Sequence, residues 1–195
     1  MNALLVSTGV VALAEMGDKT QLLAFLLAAR FQKPLPIVLG ITLATIVNHA
    51  LAGLVGVWIT HILSPDMLRW ILGGSFIAMA IWMLIPDKLE EDEVSFSSRL
   101  GIFGLTCVTF FLAEMGDKTQ IATVAMAARF DTPVLVVIGT TLGMLIANVP
   151  AVFLGEKFAQ RFSPKVIHSI SAGIFAVMGL LTLFKADEFF SSLMQ

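Results

Sequence analysis

The chain is short of the residues that build disulfide-bonded, soluble or nucleic-acid-binding proteins. It has a single cysteine, Cys107, which excludes an internal disulfide and any multi-thiolate metal site. Only 13% of its 195 residues are charged, where a soluble domain carries about a quarter. A net charge of −2, without long basic runs, leaves no electrostatic footprint for nucleic acid. No positively charged n-region precedes the apolar segment 4–14. Its Ala12-Leu13-Ala14 ending therefore reads as part of a span and not as a signal-peptide cleavage site. What remains is hydrophobic: 57% of the residues, with a mean hydropathy of +0.92. That is the composition of an all-α integral membrane protein.

Against this background one string occurs twice. Residues 13–21 read LAEMGDKTQ and residues 112–120 read the same nine residues, 99 positions later. The register persists beyond the motif: Ala28-Ala29-Arg30-Phe31 answers Ala127-Ala128-Arg129-Phe130, Pro34 answers Pro133, Gly40 answers Gly139, and Ser64-Pro65 answers Ser163-Pro164. Each copy places Glu, Asp and Lys inside a long apolar run. Ionisable groups are costly in a bilayer and mark ion or proton paths where they occur.

Apolar periodicity predicts six transmembrane helices, near residues 3–27, 35–62, 67–85, 100–127, 134–154 and 166–184. Residues 1–85 form a first three-helix repeat, 86–99 (PDKLEEDEVSFSSR) an acidic linker, and 100–195 a second repeat. Three spans per repeat is an odd number, so the second repeat enters the membrane from the opposite side. Inverted repeats are the architecture of many secondary transporters, with the binding site at the repeat interface. Arg30, Lys33, Lys88, Arg99, Lys157, Arg161 and Lys165 fall on one side; Arg69, Arg129 and Lys185 fall on the other. The positive-inside rule then places the linker in the cytoplasm and both termini outside. Trp58 and Trp70 flank the second loop and Trp82 lies near the end of the third span, where interfacial anchors belong.

Continuous helices would put Glu15 and Asp18 on one face, at i and i+3, with Lys19 close by. Glu114, Asp117 and Lys118 repeat the pattern. Inverted symmetry brings the two faces together and gives four carboxylates around one axis. These cannot all stay ionised in a dry cavity without a partner. Four negative charges less the two lysines leave −2, which one divalent cation or two protons neutralise. The expected metal ligands are Glu15, Asp18, Glu114 and Asp117, and hard oxygen donors suit Mg²⁺, Ca²⁺ and Mn²⁺. Gln21, Gln120, Asn48, His49 and Asn148 are candidates for additional donors or gating groups, with Lys19 and Lys118. Met16 and Met115 offer either a soft thioether donor, which would favour Mn²⁺ over Ca²⁺, or packing. Gly17 and Gly116 serve close helix packing or loosen the helix at the site. Thr20 and Thr119 are expected to bond back to their own helix.

The duplicated Glu15-Met16-Gly17-Asp18-Lys19-Thr20 and Glu114-Met115-Gly116-Asp117-Lys118-Thr119 resemble the E-x-G-D-[KR]-[TS] signature of one small transporter family. That family includes bacterial manganese exporters and Golgi calcium/manganese–proton exchangers, within the lysine-exporter superfamily. The resemblance covers the whole chain. It implies that the four motif acids bind the transported cation. The compact length resembles the bacterial members and implies a multi-pass inner-membrane Mn²⁺ exporter, with Ca²⁺ as a further substrate. The expected partners are the divalent cation, protons or another coupling ion, and the bilayer; no cofactor and no oligomer is required. A passive cation channel is the alternative, weakened by buried lysines beside the acids. An intramembrane enzyme or an assembly subunit ranks lower, because catalysis gives paired acids different environments and this duplication gives them the same one.

Overall fold

The computed structural model describes residues 2–85, 100–154 and 164–184. The linker 86–99 and its acids Glu90, Glu91, Asp92 and Glu93 lie outside the described residues. Among the described residues the fold is all-helical: α1 (Ala3–Glu15), α2 (Lys19–Phe31), α3 (Pro34–Ile62), α4 (Pro65–Trp82), α5 (Gly101–Glu114), α6 (Lys118–Arg129), α7 (Pro133–Leu154) and α8 (Pro164–Leu183). The last three helices of each half start at positions related by the sequence repeat: Lys19 and Lys118, Pro34 and Pro133, and Pro65 and Pro164. Proline at the first helical position suits a helix start, where its missing N–H costs nothing.

Helices α3, α7 and α8 are long and apolar enough to cross a membrane; α1 and α5 are apolar but shorter. The expectation of one continuous helix over 3–27 and another over 100–127 is not met. Each is two helices, interrupted at Met16–Asp18 and Met115–Asp117. Gly17 and Gly116 cause the break. Their φ values are +84° and +76°, a region that glycine enters without a Cβ clash. The methionines before them are extended, at ψ 115° and 117°.

The halves interlock. Helix α1 packs along α7, while α5 packs along α3. A Cβ on Gly40 would lie 2.6 Å from Thr106 Cβ and 3.0 Å from the Phe103 carbonyl. The repeat equivalent, Gly139, sits against Ser7 and the Leu4 carbonyl. Thr106 and Phe103 are themselves the repeat equivalents of Ser7 and Leu4, so these contacts are reciprocal, as in a twofold dimer. Phe76 and its equivalent Phe175 stack at 6.3 Å between ring centroids, in a core shared by α1, α4, α6, α7 and α8. The outward faces stay apolar. Leu35, Leu54, Ile81, Phe153 and Val177 are each more than half exposed, the surface that lipid covers in a membrane protein.

Candidate metal centre

The two helix breaks bring the motif side chains together; Gly17, Met115 and Gly116 are exposed, while the acids beside them turn inward. Glu15 ends α1 and Glu114 ends α5; Asp18 and Asp117 are the N-cap residues of α2 and α6. Because each helix stops between its acids, Glu15 and Asp18 do not share a continuous helical face, and neither do Glu114 and Asp117. They meet across a turn, in which Asp18 N–H donates to the Glu15 carbonyl at 3.1 Å and Asp117 N–H to the Glu114 carbonyl at 3.2 Å. Each new helix N-terminus places positive dipole beside the acids, and at α6 the Thr119 N–H donates to Asp117 Oδ2 at 3.4 Å.

All four carboxylates are buried, Glu15 and Glu114 completely. Carboxylate oxygens of Glu15, Glu114 and Asp117 all lie within 4.8 Å of one another, so the three can ligate one ion. Asp18 neighbours Glu114 but is not among these three. The glutamates are repeat equivalents meeting each other, as the stacked phenylalanines do.

Thr20 and Thr119 do not bond back to their own helices as expected. Thr20 Oγ1 donates to Glu15 Oε2 at 2.6 Å. Thr119 Oγ1 donates to Glu114 Oε2 at 3.1 Å and lies 3.3 Å from Asp117 Oδ2. The helix break folds the first turn of α2 or α6 under the preceding glutamate, which a continuous helix forbids. Each hydroxyl thus holds one glutamate oxygen in place. The other oxygens, Glu15 Oε1 and Glu114 Oε1, are buried without a hydrogen-bond partner.

Gln21 and Gln120, expected beside the carboxylates, brace the breaks. Gln21 Oε1 accepts from Gly17 N–H at 3.0 Å and Gln120 Oε1 from Gly116 N–H at 2.7 Å. Their amide nitrogens cross to the other half, reaching the Ala147 carbonyl at 2.8 Å and Asn48 Oδ1 at 2.6 Å. Positions 48 and 147 are again repeat equivalents. Asn148 is fully buried and lies beside Glu15. Its Nδ2 donates to the Met144 carbonyl at 3.1 Å and contacts Met144 Sδ at 2.8 Å, while its Oδ1 has no partner. His49 is buried with both ring nitrogens unpartnered. Lys19 Nζ lies 3.9 Å from Asp117 Oδ1 of the other half. Lys118 is buried and donates to the Ile85 carbonyl at 2.9 Å. Met115 is 55% exposed, and Met16 is partly exposed. The sulfur placed next to a candidate donor is that of Met144, which sequence reasoning missed; its repeat equivalent is Thr45, so the duplication does not flag it. Thr20 and Thr119 carried the signal of exact duplication, and the assumption of a continuous helix hid their role.

A duplicated cluster of buried acids with unsatisfied oxygens can bind and release a cation or protons. The family model of the divalent cation/proton antiporter GDT1 matches residues 3–91 and 102–188. The chain belongs to the GDT1 family. Membership makes it a membrane transporter and not an enzyme. A Vibrio cholerae protein described as "Putative manganese exporter" is 51% identical over 185 residues, covering 94% of this chain and 92% of the relative. "GDT1-like protein 3" of Oryza sativa subsp. indica is 26% identical over 198 residues, covering 89% of this chain and 71% of the relative. "GDT1-like protein 5" of Arabidopsis thaliana is 24% identical over 214 residues, covering 91% and 93%. No solved structure matches this GDT1 chain.

Proposed function

We propose that this GDT1 member exports Mn²⁺ across a bacterial inner membrane in exchange for protons, with Ca²⁺ as a second substrate. One observation carries the reading: three buried carboxylates from both halves lie within 4.8 Å, with Glu15 Oε1 and Glu114 Oε1 unsatisfied. Buried acceptors without donors call for a missing ligand, and an oxygen-rich set with an excess of acid calls for a hard divalent cation. Glu15, Glu114 and Asp117 are the primary ligands. Asp18 and the Asn148 Oδ1 complete the shell as the cation passes, and His49, Asn48 and the motif lysines tune it. Protons and the metal compete for the same oxygens, so loading one expels the other, which is the chemistry of exchange.

In this reading the chain crosses the membrane six times. Helices α1 with α2, and α5 with α6, each form one interrupted span, and α3, α4, α7 and α8 supply the rest. Residues 1–85 and 100–195 are inverted repeats, the linker 86–99 is cytoplasmic, and both termini are extracytoplasmic. The reciprocal contacts between the halves support this arrangement, because alternating access by inverted repeats needs two halves of the same shape.

The test is transport by purified protein in proteoliposomes, with Mn²⁺ or Ca²⁺ and imposed pH gradients of both signs. Metal uptake that reverses direction with the pH gradient is the expected result. Metal flux that ignores the gradient and follows only the metal's own gradient would establish a channel instead.

A further inference from the structure

The two copies of the motif are identical, yet the helices that face them are not. On α7, Met144 and Asn148 stand one turn apart; their repeat equivalents on α3 are Thr45 and His49. All four side chains are fully buried. The motif supplies each half with the same oxygens, so a donor of another kind enters where the copies differ. We propose that Met144 Sδ is a ligand of the transported cation and makes the site prefer transition-metal ions to alkaline-earth ions. Met144 acts within the carboxylate site proposed above, so its role rests on that reading and specifies which class of cation the site takes.

Asn148 fixes where the sulfur sits. Its Nδ2 contacts Met144 Sδ at 2.8 Å, and the same side chain lies beside Glu15. Thioether and carboxylate therefore flank one amide. Helices α1 and α7 are close enough to keep them level. A Cβ on Gly143 would lie 2.6 Å from the Thr8 carbonyl and 2.8 Å from the Ala12 nitrogen, one turn before Glu15. Asn148 Nδ2 also donates to the Met144 carbonyl at 3.1 Å, while Asn148 Oδ1 and Glu15 Oε1 are buried acceptors without a donor. Such acceptors call for a ligand. A cation between them finds the sulfur as its next donor, and three rotatable bonds let a methionine follow it without backbone movement.

Packing is the commoner role of a buried methionine, and Met144 does belong to the apolar core that α1, α4, α6, α7 and α8 share. A packing role explains the burial. It does not explain a sulfur turned onto the one amide that neighbours Glu15, where a leucine would fill the same volume.

Sulfur is the donor that separates the cations. Carboxylate and amide oxygens suit Mg²⁺, Ca²⁺ and Mn²⁺ alike. A thioether is soft, so it adds to the binding of transition metals and little to that of hard alkaline-earth ions. Mn²⁺ stands at the foot of the first-row affinity series and gains least among the transition metals. A weak soft donor therefore tips the choice between Mn²⁺ and Ca²⁺ and still lets the ion leave, as transport requires. Fe²⁺ and Co²⁺, higher in the series, fit the same donor set.

The test is metal binding by the full chain in detergent, in a Cys107→Ser background, because a thiol also binds soft ions. Cd²⁺ and Ca²⁺ are the main probes, similar in size and opposite in softness, with Mn²⁺ alongside. Met144→Leu keeps the volume and removes the sulfur. The ratio of Cd²⁺ to Ca²⁺ affinity should fall about tenfold in this variant, equivalent to one weak metal–ligand bond of about 1.4 kcal/mol. The ratio of Mn²⁺ to Ca²⁺ affinity should fall in the same direction by less. X-ray absorption at the cadmium edge should show a sulfur neighbour in the Cys107→Ser protein and none after Met144→Leu. Unchanged ratios in Met144→Leu, with Glu114→Gln still weakening the binding of every ion, overturn the role of Met144 and leave the carboxylate site standing. Binding that ignores Glu114→Gln overturns the site and the role of Met144 together. If Met144→Leu does not fold, the absorption spectrum of the Cys107→Ser protein decides alone: a shell of oxygen and nitrogen without sulfur overturns the proposal.

Discussion

Replacing Glu114 by Gln keeps the side chain's volume and removes one negative charge from a cluster whose oxygens lie within 4.8 Å. Two readings of that cluster give opposite signs. If the acids are a structural ion-paired core around Lys19 and Lys118, neutralising one breaks an attraction and destabilises the fold. If they form a cation site, the same change relieves repulsion in the metal-free protein. Two ionised carboxylates 4.8 Å apart repel by about 3.5 kcal/mol at an effective dielectric of about 20. Metal-free Glu114→Gln should therefore melt at the same temperature as wild type or higher. The loss appears with metal. Wild-type protein at a Mn²⁺ concentration of about 100 times Kd gains about 2.7 kcal/mol, and a variant binding about 100-fold more weakly gains about 0.4 kcal/mol at the same concentration. The assay is a thermal-shift titration with Mn²⁺ in detergent at pH 8, where protons compete least. A variant that melts several degrees lower without metal, yet keeps the full Mn²⁺-induced shift, would refute the cation site and establish the structural core.

Three further outcomes follow from the same geometry. Gly116→Ala should abolish transport at a conformational cost of about 1–2 kcal/mol, because φ is +76° there while a Cβ would meet nothing within 4 Å; wild-type transport rates in Gly116→Ala would show that the helix break is dispensable. Mn²⁺ affinity measured calorimetrically from about pH 8 down to about pH 5.5 should fall with pH, since metal binding needs ionised carboxylates and protonation removes them; Asp117→Asn should weaken binding and flatten that dependence, and a pH-independent affinity would rule out direct competition. In a Cys107→Ser background, a cysteine at Ser97 should be protected from an impermeant thiol reagent in intact cells and one at Ser192 labelled; the reverse pattern would invert the proposed topology.

The sequence by itself determined the all-helical membrane class, the duplication and the presence of acids within each copy of the repeat. Those depend on composition and on identical residues recurring at one offset, and both survive without any knowledge of contacts. It also carried the family, because the E-M-G-D-K-T string is long and occurs twice. The helix break was within reach, since Gly17 and Gly116 sit between the acids, but a glycine inside an apolar run is compatible with a straight helix, and the sign of φ is decided by what packs around it. Only the tertiary structure decided that Thr20 and Thr119 hold the glutamates, that Gln21 and Gln120 brace the breaks, and that Glu15, Glu114 and Asp117 draw within 4.8 Å. Those side chains meet across the helix breaks or across the halves, where periodicity along one helix gives no information. The same holds for Met144 beside Asn148 and for a cavity that joins Arg69 to Arg129. Residues 60 apart in the chain become neighbours there because the start of α4 packs against the end of α6, and a linear pattern does not record which helices end at the same point in space.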